Sequence, residues 1–177
     1  MARTASITGD VLEAGKERFL EQYEEEHART VRLLRAYPAD KADLRPCANC
    51  RTAREIAWVF ALERYLARNM MEDAYVSGAP AGKPPEAPDS WNEIVSKVEQ
   101  MHREFAAYIR AMPAEQLGAM TKFMVGPKRM GDRRKLDLLW YLLHDEIHHR
   151  GQLSVYLRMA GGKVPSIYGP SGDEPWV

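Results

Sequence analysis

Three histidines crowd the segment DLLWYLLHDEIHHRGQLSVYLRMAGG, residues 137–162, at positions 144, 148 and 149. His144 and His148 stand four residues apart. On an α-helix that spacing puts both imidazoles on one face, one turn apart. Two imidazoles so placed suit Zn²⁺, Ni²⁺ or Fe²⁺, but a stable site needs at least a third ligand from another element. The competing reading is a pair of hydrogen-bonded core histidines, or one end of a bundle where they meet water. Tyr141, Gly151 and Val155 share the stripe of the pair, and Gly151 removes bulk where a neighbouring helix could come close. On the helical wheel His149 points about a quarter turn away, and Arg150 and Gln152 lie off the stripe.

The elements that must position these side chains follow from caps and periodicity. Asp10 starts a helix that runs to Tyr37, with a break near Gly15, and carries Phe19, Leu20, Tyr23, Val31, Leu34 and His27 on its apolar stripe. Residues 38–51 form a loop. Thr52 and Glu55 make a capping-box pattern for a second helix that ends near Asp73, with Ile56, Val59, Phe60, Leu66 and Met70 inward. Residues 74–89 are too rich in proline and glycine for regular structure. Ser90 and Glu93 repeat the capping pattern for a third helix to Met112. A short helical turn falls within residues 113–120, and residues 121–131 form a loop or small hairpin. Asp132 caps the fourth helix, which carries the histidines to Ala160, where Gly161 and Gly162 stop it. No stretch alternates convincingly with period two. The expectation is an all-α four-helix bundle, one domain over residues 1–177, with long loops and an irregular tail. The long second and third links leave the helix order open.

Composition narrows the function. The chain has 177 residues, 45% of them hydrophobic, with 25 basic and 25 acidic residues and zero formal net charge. That length suits one domain with a real core. The charge balance gives no field favouring nucleic acid or an anionic membrane. No apolar run reaches the length of a membrane span, and residues 1–10 lack the apolar core of a signal peptide. A soluble cytoplasmic protein is expected.

The segment HDEIHHRGQLSVYLRMAGGKVPSIYGPSGD resembles the C-terminal signature of the DinB superfamily, the DinB/YfiT-like four-helix bundles. Upstream, TVRLLRAYPADKADLRP is similar to the end of that family's first helix and the following loop, and RTAREIAWVFALERYL to its second helix. The resemblance implies a homodimer and metal-dependent hydrolysis or thiol transfer, with a low-molecular-weight thiol as partner. It also implies three histidine ligands, two of them at His144 and His148. The third would come from the second helix, where this chain has Val59 after Ala57 and Trp58. Valine cannot ligate. Either another residue substitutes, or two histidines hold metal weakly, or the site has lost its metal and kept an apolar pocket at Val59, Tyr141 and Gly151. Glu63, one turn beyond Val59, is the leading substitute, ahead of His27 and His102. The reading leans toward a weakened or absent metal site. The competing function class is therefore a non-catalytic, metal-free binding or stress-response protein.

Cys47 and Cys50 form a C-x-x-C before the second helix, which can lower a thiol pKa. The all-α context makes two adventitious loop cysteines the expected reading. Glu24, Glu25 and Glu26 with Arg29 and Arg32 read as a solvated face. Lys128, Arg129, Arg133, Arg134 and Lys135 read as a solvated loop and helix start, the alternative being a patch for a phosphate or acidic partner. Ser166 and Tyr168 in the tail read either as closing the pocket mouth or, no less readily, as tail packing without function.

Overall fold

The structure, a computed structural model, describes residues 9–76 and 82–176. The expectation for residues 1–8, and that for residues 77–81 within the second link, lie outside the described residues. The described chain forms α1 (Gly9–Ala36), a 3₁₀ turn (Ala39–Lys41), α2 (Ala53–Met71) and α3 (Trp91–Ala111). The short α4 (Ala114–Leu117), a hairpin of β1 (Met120–Gly126) and β2 (Arg129–Arg134), and α5 (Lys135–Met159) follow. α1 is unbroken through Gly15, and Asp10 lies in its first turn instead of capping it.

The caps explain most boundaries. Thr52 accepts from the Glu55 amide at 3.1 Å, while the Glu55 carboxylate accepts from the Thr52 amide at 2.6 Å, so two orphan donors are satisfied reciprocally. Ser90 accepts from the Glu93 amide at 3.4 Å. At the end of α5, Gly161 takes a φ of +80°. Its amide reaches Arg158 O at 3.1 Å and the Gly162 amide reaches Leu157 O at 3.0 Å, a Schellman closure. Asp132 is not a helix cap. It pairs with Lys122 across the hairpin at 2.6 Å, and α5 begins three residues later. The apolar and β-branched residues of β1 support that ladder, with a register shift between Met124 and Gly126 before the turn.

Two apolar clusters fix the helix directions. One joins Leu33 and Leu34 of α1, Ile56 and Phe60 of α2, Ile94 and Val98 of α3, and Leu153 and Leu157 of α5. The other joins Phe19 and Tyr23, Met70, Phe105 and Ile109, and Leu139 and Leu143 of the same helices. The first cluster therefore gathers the C-terminal halves of α1 and α5 and the N-terminal halves of α2 and α3. So α1 and α5 run one way and α2 and α3 the other. The link over residues 72–90 must return the chain along the bundle's full length. Nineteen residues suffice for that, because the 21-residue α3 is only about 32 Å long. α2 packs on α3 and α5, and α1 packs on the same two.

Between the clusters lies a belt of buried polar groups: Glu26 and Thr30 on α1, Glu63 and Arg64 on α2, His102 on α3, Glu146 and Arg150 on α5. Buried charges are costly unless paired, and these are. Arg64 donates to Glu146 at 2.6 Å and to Phe60 O at 2.7 Å. Thr30 donates to the other Glu146 oxygen at 2.7 Å. Arg150 donates to Glu26 at 2.5 Å and to Tyr168, whose hydroxyl donates to Glu26 at 2.7 Å. The tail is thus fastened to the belt by Tyr168. Glu26 is not part of a solvated face, and Arg150 lies off the His144/His148 stripe, as expected, but is buried in the belt. Lys135 is buried as well, donating to Met71 O and Asp73, both at 2.8 Å.

Cys47 and Cys50 are joined by a disulfide in the turn before α2. A bond closing only four residues restrains the unfolded chain by about 2 kcal/mol, well below what a long loop gives. None of the described helices is long and apolar enough to cross a membrane.

Candidate metal centre

α5 carries leucines at 138, 139, 142, 143, 153 and 157, all buried, and these set its inner face. Glu146 and Arg150 fall on that face. One step round the helix are Asp145 and His149, half-buried and again four residues apart. Across from them α2 presents Glu63, 4% exposed. One ligand atom from each of Glu63, Asp145 and His149 lies within 4.8 Å of the others. Among the described residues no such group includes His144 or His148.

Those two histidines are exposed, on the outer side of α5 with Tyr141, Gly151 and Val155. A Cβ on Gly151 would meet nothing within 4 Å among the described residues, so the glycine makes room for none of the described helices. Tyr141 packs edge-on against Phe123 of the hairpin at 5.7 Å. Val59 is half-buried on α2, one turn before Glu63. The structure therefore brings Glu63, of the expected ligands, to a cluster on α5, but not His144 and His148. The expected pocket of Val59, Tyr141 and Gly151 is not formed, since two of the three face outward. The reason is a choice between two i,i+4 pairs, 144/148 and 145/149, on a helix with apolar residues all round.

Neither His27 nor His102 reaches the triad: His27 is half-buried and His102 is buried. Their rings stack at 3.5 Å with planes 4° apart, between α1 and α3. His102 Nε2 pairs with Glu24 at 2.8 Å. Burial is the main cause that lowers both pKa values, to about 2 for His27 and about 3 for His102. The Arg64 guanidinium pushes both the same way, and each ring sits beside the other. Glu24 is half-exposed and shared with Arg110, so it offsets this only in part.

The triad's electrostatics favour a cation. Burial drives the Glu63 pKa well above the ordinary carboxylate value. Arg64, 3.4 Å from Glu63 Oε2, opposes this, and the carboxylates of Glu146 and Asp145 reinforce it. Among the described residues, no donor reaches the buried Glu63 Oε1. Such an orphaned oxygen beside a second carboxylate needs a proton or a cation between them. His149 is oriented for the same purpose. Its Nδ1 donates to Gln152 Oε1 at 3.2 Å, which leaves the Nε2 lone pair toward Asp145 Oδ2, 3.6 Å away. Holding a ligating imidazole by its other nitrogen is the usual outer-shell arrangement. The Gln152 amide in turn donates to His148 Nε2 at 2.9 Å, so His148 stands behind the ligand that His149 offers. A set of two carboxylates and one imidazole fits a divalent cation.

Comparison with known proteins agrees with this fold. The model of the DinB family matches residues 6–175. An uncharacterized protein, YrdA of Bacillus subtilis, is 51% identical over 37 residues, which are 21% of this chain and 22% of that protein. The match thus spans about a fifth of the relative's length. A DinB-like protein of Bacillus cereus superposes with a TM-score of 0.70 at 19% identity, covering 86% of this chain and 97% of that one. The DinB-like protein YjoA of Bacillus subtilis gives 0.66 at 17%, over 84% and 96%. YfiT of Bacillus subtilis, described as a probable metal-dependent hydrolase with an unusual four-helix bundle topology, gives 0.56 at 14%, over 91% and 94%.

Proposed function

The chain belongs to the DinB family, and we propose that it is a metal-dependent hydrolase or thiol transferase whose cation is held by Glu63, Asp145 and His149. The observation that carries this reading is the buried Glu63 oxygen that has no donor among the described residues, beside a second carboxylate and an imidazole. A divalent cation held there supplies Lewis-acid polarisation. The donor set is harder than three imidazoles, which favours Zn²⁺, Fe²⁺ or Mn²⁺ over Ni²⁺.

The chain's own residues divide the remaining work. Gln152 keeps the Nδ1 proton on His149 and so holds Nε2 free. Arg64 keeps its charge against Glu146 and reaches Glu63 Oε2, which holds the α2 carboxylate in place from below. Leu139, Leu142 and Leu143 close the inner side against water. Asp145, with its side chain 38% exposed, is the ligand nearest solvent and the group placed to exchange a proton with a substrate. The substrate class is a small molecule, with a low-molecular-weight thiol as the transfer partner and the cytoplasm as the compartment. Exposed Tyr141, Val155 and Met159 on α5 support a homodimer through that face. The metal-free alternative rested on Val59. Here the α2 ligand is Glu63, so a valine at 59 does not remove it.

The test is turnover of small amide, ester and thioester substrates, with and without a thiol acceptor, by untagged protein loaded with Zn²⁺, Fe²⁺ or Mn²⁺ or stripped by chelation. The reading expects turnover that vanishes on stripping and in Glu63→Gln. Equal turnover by loaded and stripped protein would overturn it.

A further inference from the structure

The disulfide stands apart from the triad. Thr52, which caps α2, is roughly 16 Å along the helix from Glu63, at about 1.5 Å per residue. The cysteines lie just before that cap, in a turn closed by the Cys50 amide donating to Cys47 O at 3.0 Å. Cys47 is exposed. Cys50 is half-buried and packs against the apolar cluster that includes Trp58, Tyr156 and Leu157. We propose that Cys47–Cys50 is a redox-active pair that exchanges with small thiols, with attack falling on the sulfur of Cys47.

Three observations carry this. First, the bond closes only four residues, and the turn has its own backbone hydrogen bond. The segment is also tied down independently of the sulfurs. The Ala53 amide donates to Leu44 O at 3.0 Å, the Arg54 amide to Ala42 O at 2.8 Å, and the Tyr156 hydroxyl to Arg51 O at 3.0 Å. Opening the bond therefore leaves the two thiols side by side on an intact loop. Second, a thiolate attacks a disulfide in line, from behind the sulfur it strikes. Cys47 is exposed and offers that approach from solvent, whereas Cys50 is half-buried and packed on the apolar cluster. Third, the product thiolate on Cys50 stays within reach of Cys47 and can close the ring again.

The chemistry balances with a small thiol as reductant. A thiolate RS⁻ bonds to Cys47 Sγ, and the Cys47–Cys50 bond breaks with its electron pair going to Cys50 Sγ, which takes a proton from water. A second RS⁻ then attacks the R sulfur of the mixed disulfide and releases Cys47 as a thiolate, which is protonated in turn. The sum is one protein disulfide and two RSH giving one dithiol and RSSR. The reverse, with RSSR as oxidant, restores the bond.

The test uses the full chain, chelated and free of metal, so that its result is separate from that of the triad. In glutathione buffers of varied ratio, the fraction oxidised is read by alkylation and mass shift. The wild type is expected to interconvert fully and reversibly in millimolar glutathione, with its helical circular dichroism unchanged. Cys50→Ser exposed to oxidised glutathione should form the mixed disulfide at Cys47 about tenfold faster or more than Cys47→Ser forms it at Cys50. A wild-type bond that resists glutathione until the protein is unfolded would overturn the redox assignment. Equal or reversed rates in the two variants would overturn attack at Cys47.

Discussion

Arg64→Met removes the one cation that, among the described residues, pairs with Glu146 in the belt across the bundle. The Arg64 side chain is 3% exposed and that of Glu146 is 1% exposed, with Nη2 2.6 Å from Oε2. The variant leaves Glu146 buried with, among the described residues, only the Thr30 hydroxyl, and it takes from Glu63 its 3.4 Å neighbour. Breaking a buried pair on one side costs about 3–5 kcal/mol. For a chain of this length, that is a fall in Tm of roughly 6–20 °C. Removing both sides tells a different story. Arg64→Met with Glu146→Met removes both members of that pair, and apolar replacement of a whole pair is often neutral. The double variant should be more stable than Arg64→Met alone, a coupling of at least about 1 kcal/mol. Urea and thermal unfolding of the four proteins measure this. If Arg64→Met costs under about 1 kcal/mol, or the two substitutions simply add, the belt is not the dry, mutually dependent network described above.

Acid should weaken the fold through the stacked histidines. Both stay neutral in the folded chain, with pKa values near 2 for His27 and 3 for His102, against about 6.5 once unfolded. Below that value the unfolded chain binds protons that the folded chain refuses, so stability present above it is lost as pH falls toward the folded values. The slope is at most about 1.4 kcal/mol per pH unit for each ring. His102→Gln should flatten the decline in urea midpoint between about pH 6 and 4, and an unaltered slope would refute the assignment. Thr52→Ala, which loses the α2 cap, should cost about 1 kcal/mol in the same assay, without changing oxidation of the neighbouring disulfide.

The boundaries of α2 and α3 were legible because Thr52, Glu55 and Ser90 act locally, on amides three residues away. The stop at Gly161 and Gly162 was legible for the same reason. The face of α5 was not. Tyr141, Val155 and Met159 are as apolar as the leucines opposite, so periodicity favours no side, and two histidines at i,i+4 drew the stripe toward 144 and 148. The better signal was the leucine set at 138, 139, 142, 143, 153 and 157. It fixes the inward direction and puts Asp145 and His149 at its edge, facing α2. Glu63 was legible by a separate route, as the one carboxylate a turn beyond Val59. The buried charges of Glu26, Arg64, Glu146 and Arg150 had no local signature, because each is satisfied by a partner on another helix or in the tail. The stacking of His27 on His102 was hidden for the same reason, since it depends on how α1 and α3 meet.

Divalent-metal affinity of untagged, chelator-stripped protein, measured by titration calorimetry with Zn²⁺ and Mn²⁺, tests the site most directly. The wild type should take up one equivalent. Glu63→Gln and His149→Ala should each lose about a hundredfold or more in affinity. His148→Ala, acting only through Gln152, should lose on the order of tenfold, and His144→Ala should bind as the wild type does. Loss of binding in His144→Ala and His148→Ala, with His149→Ala unaffected, would contradict the triad and return the site to the other pair of histidines.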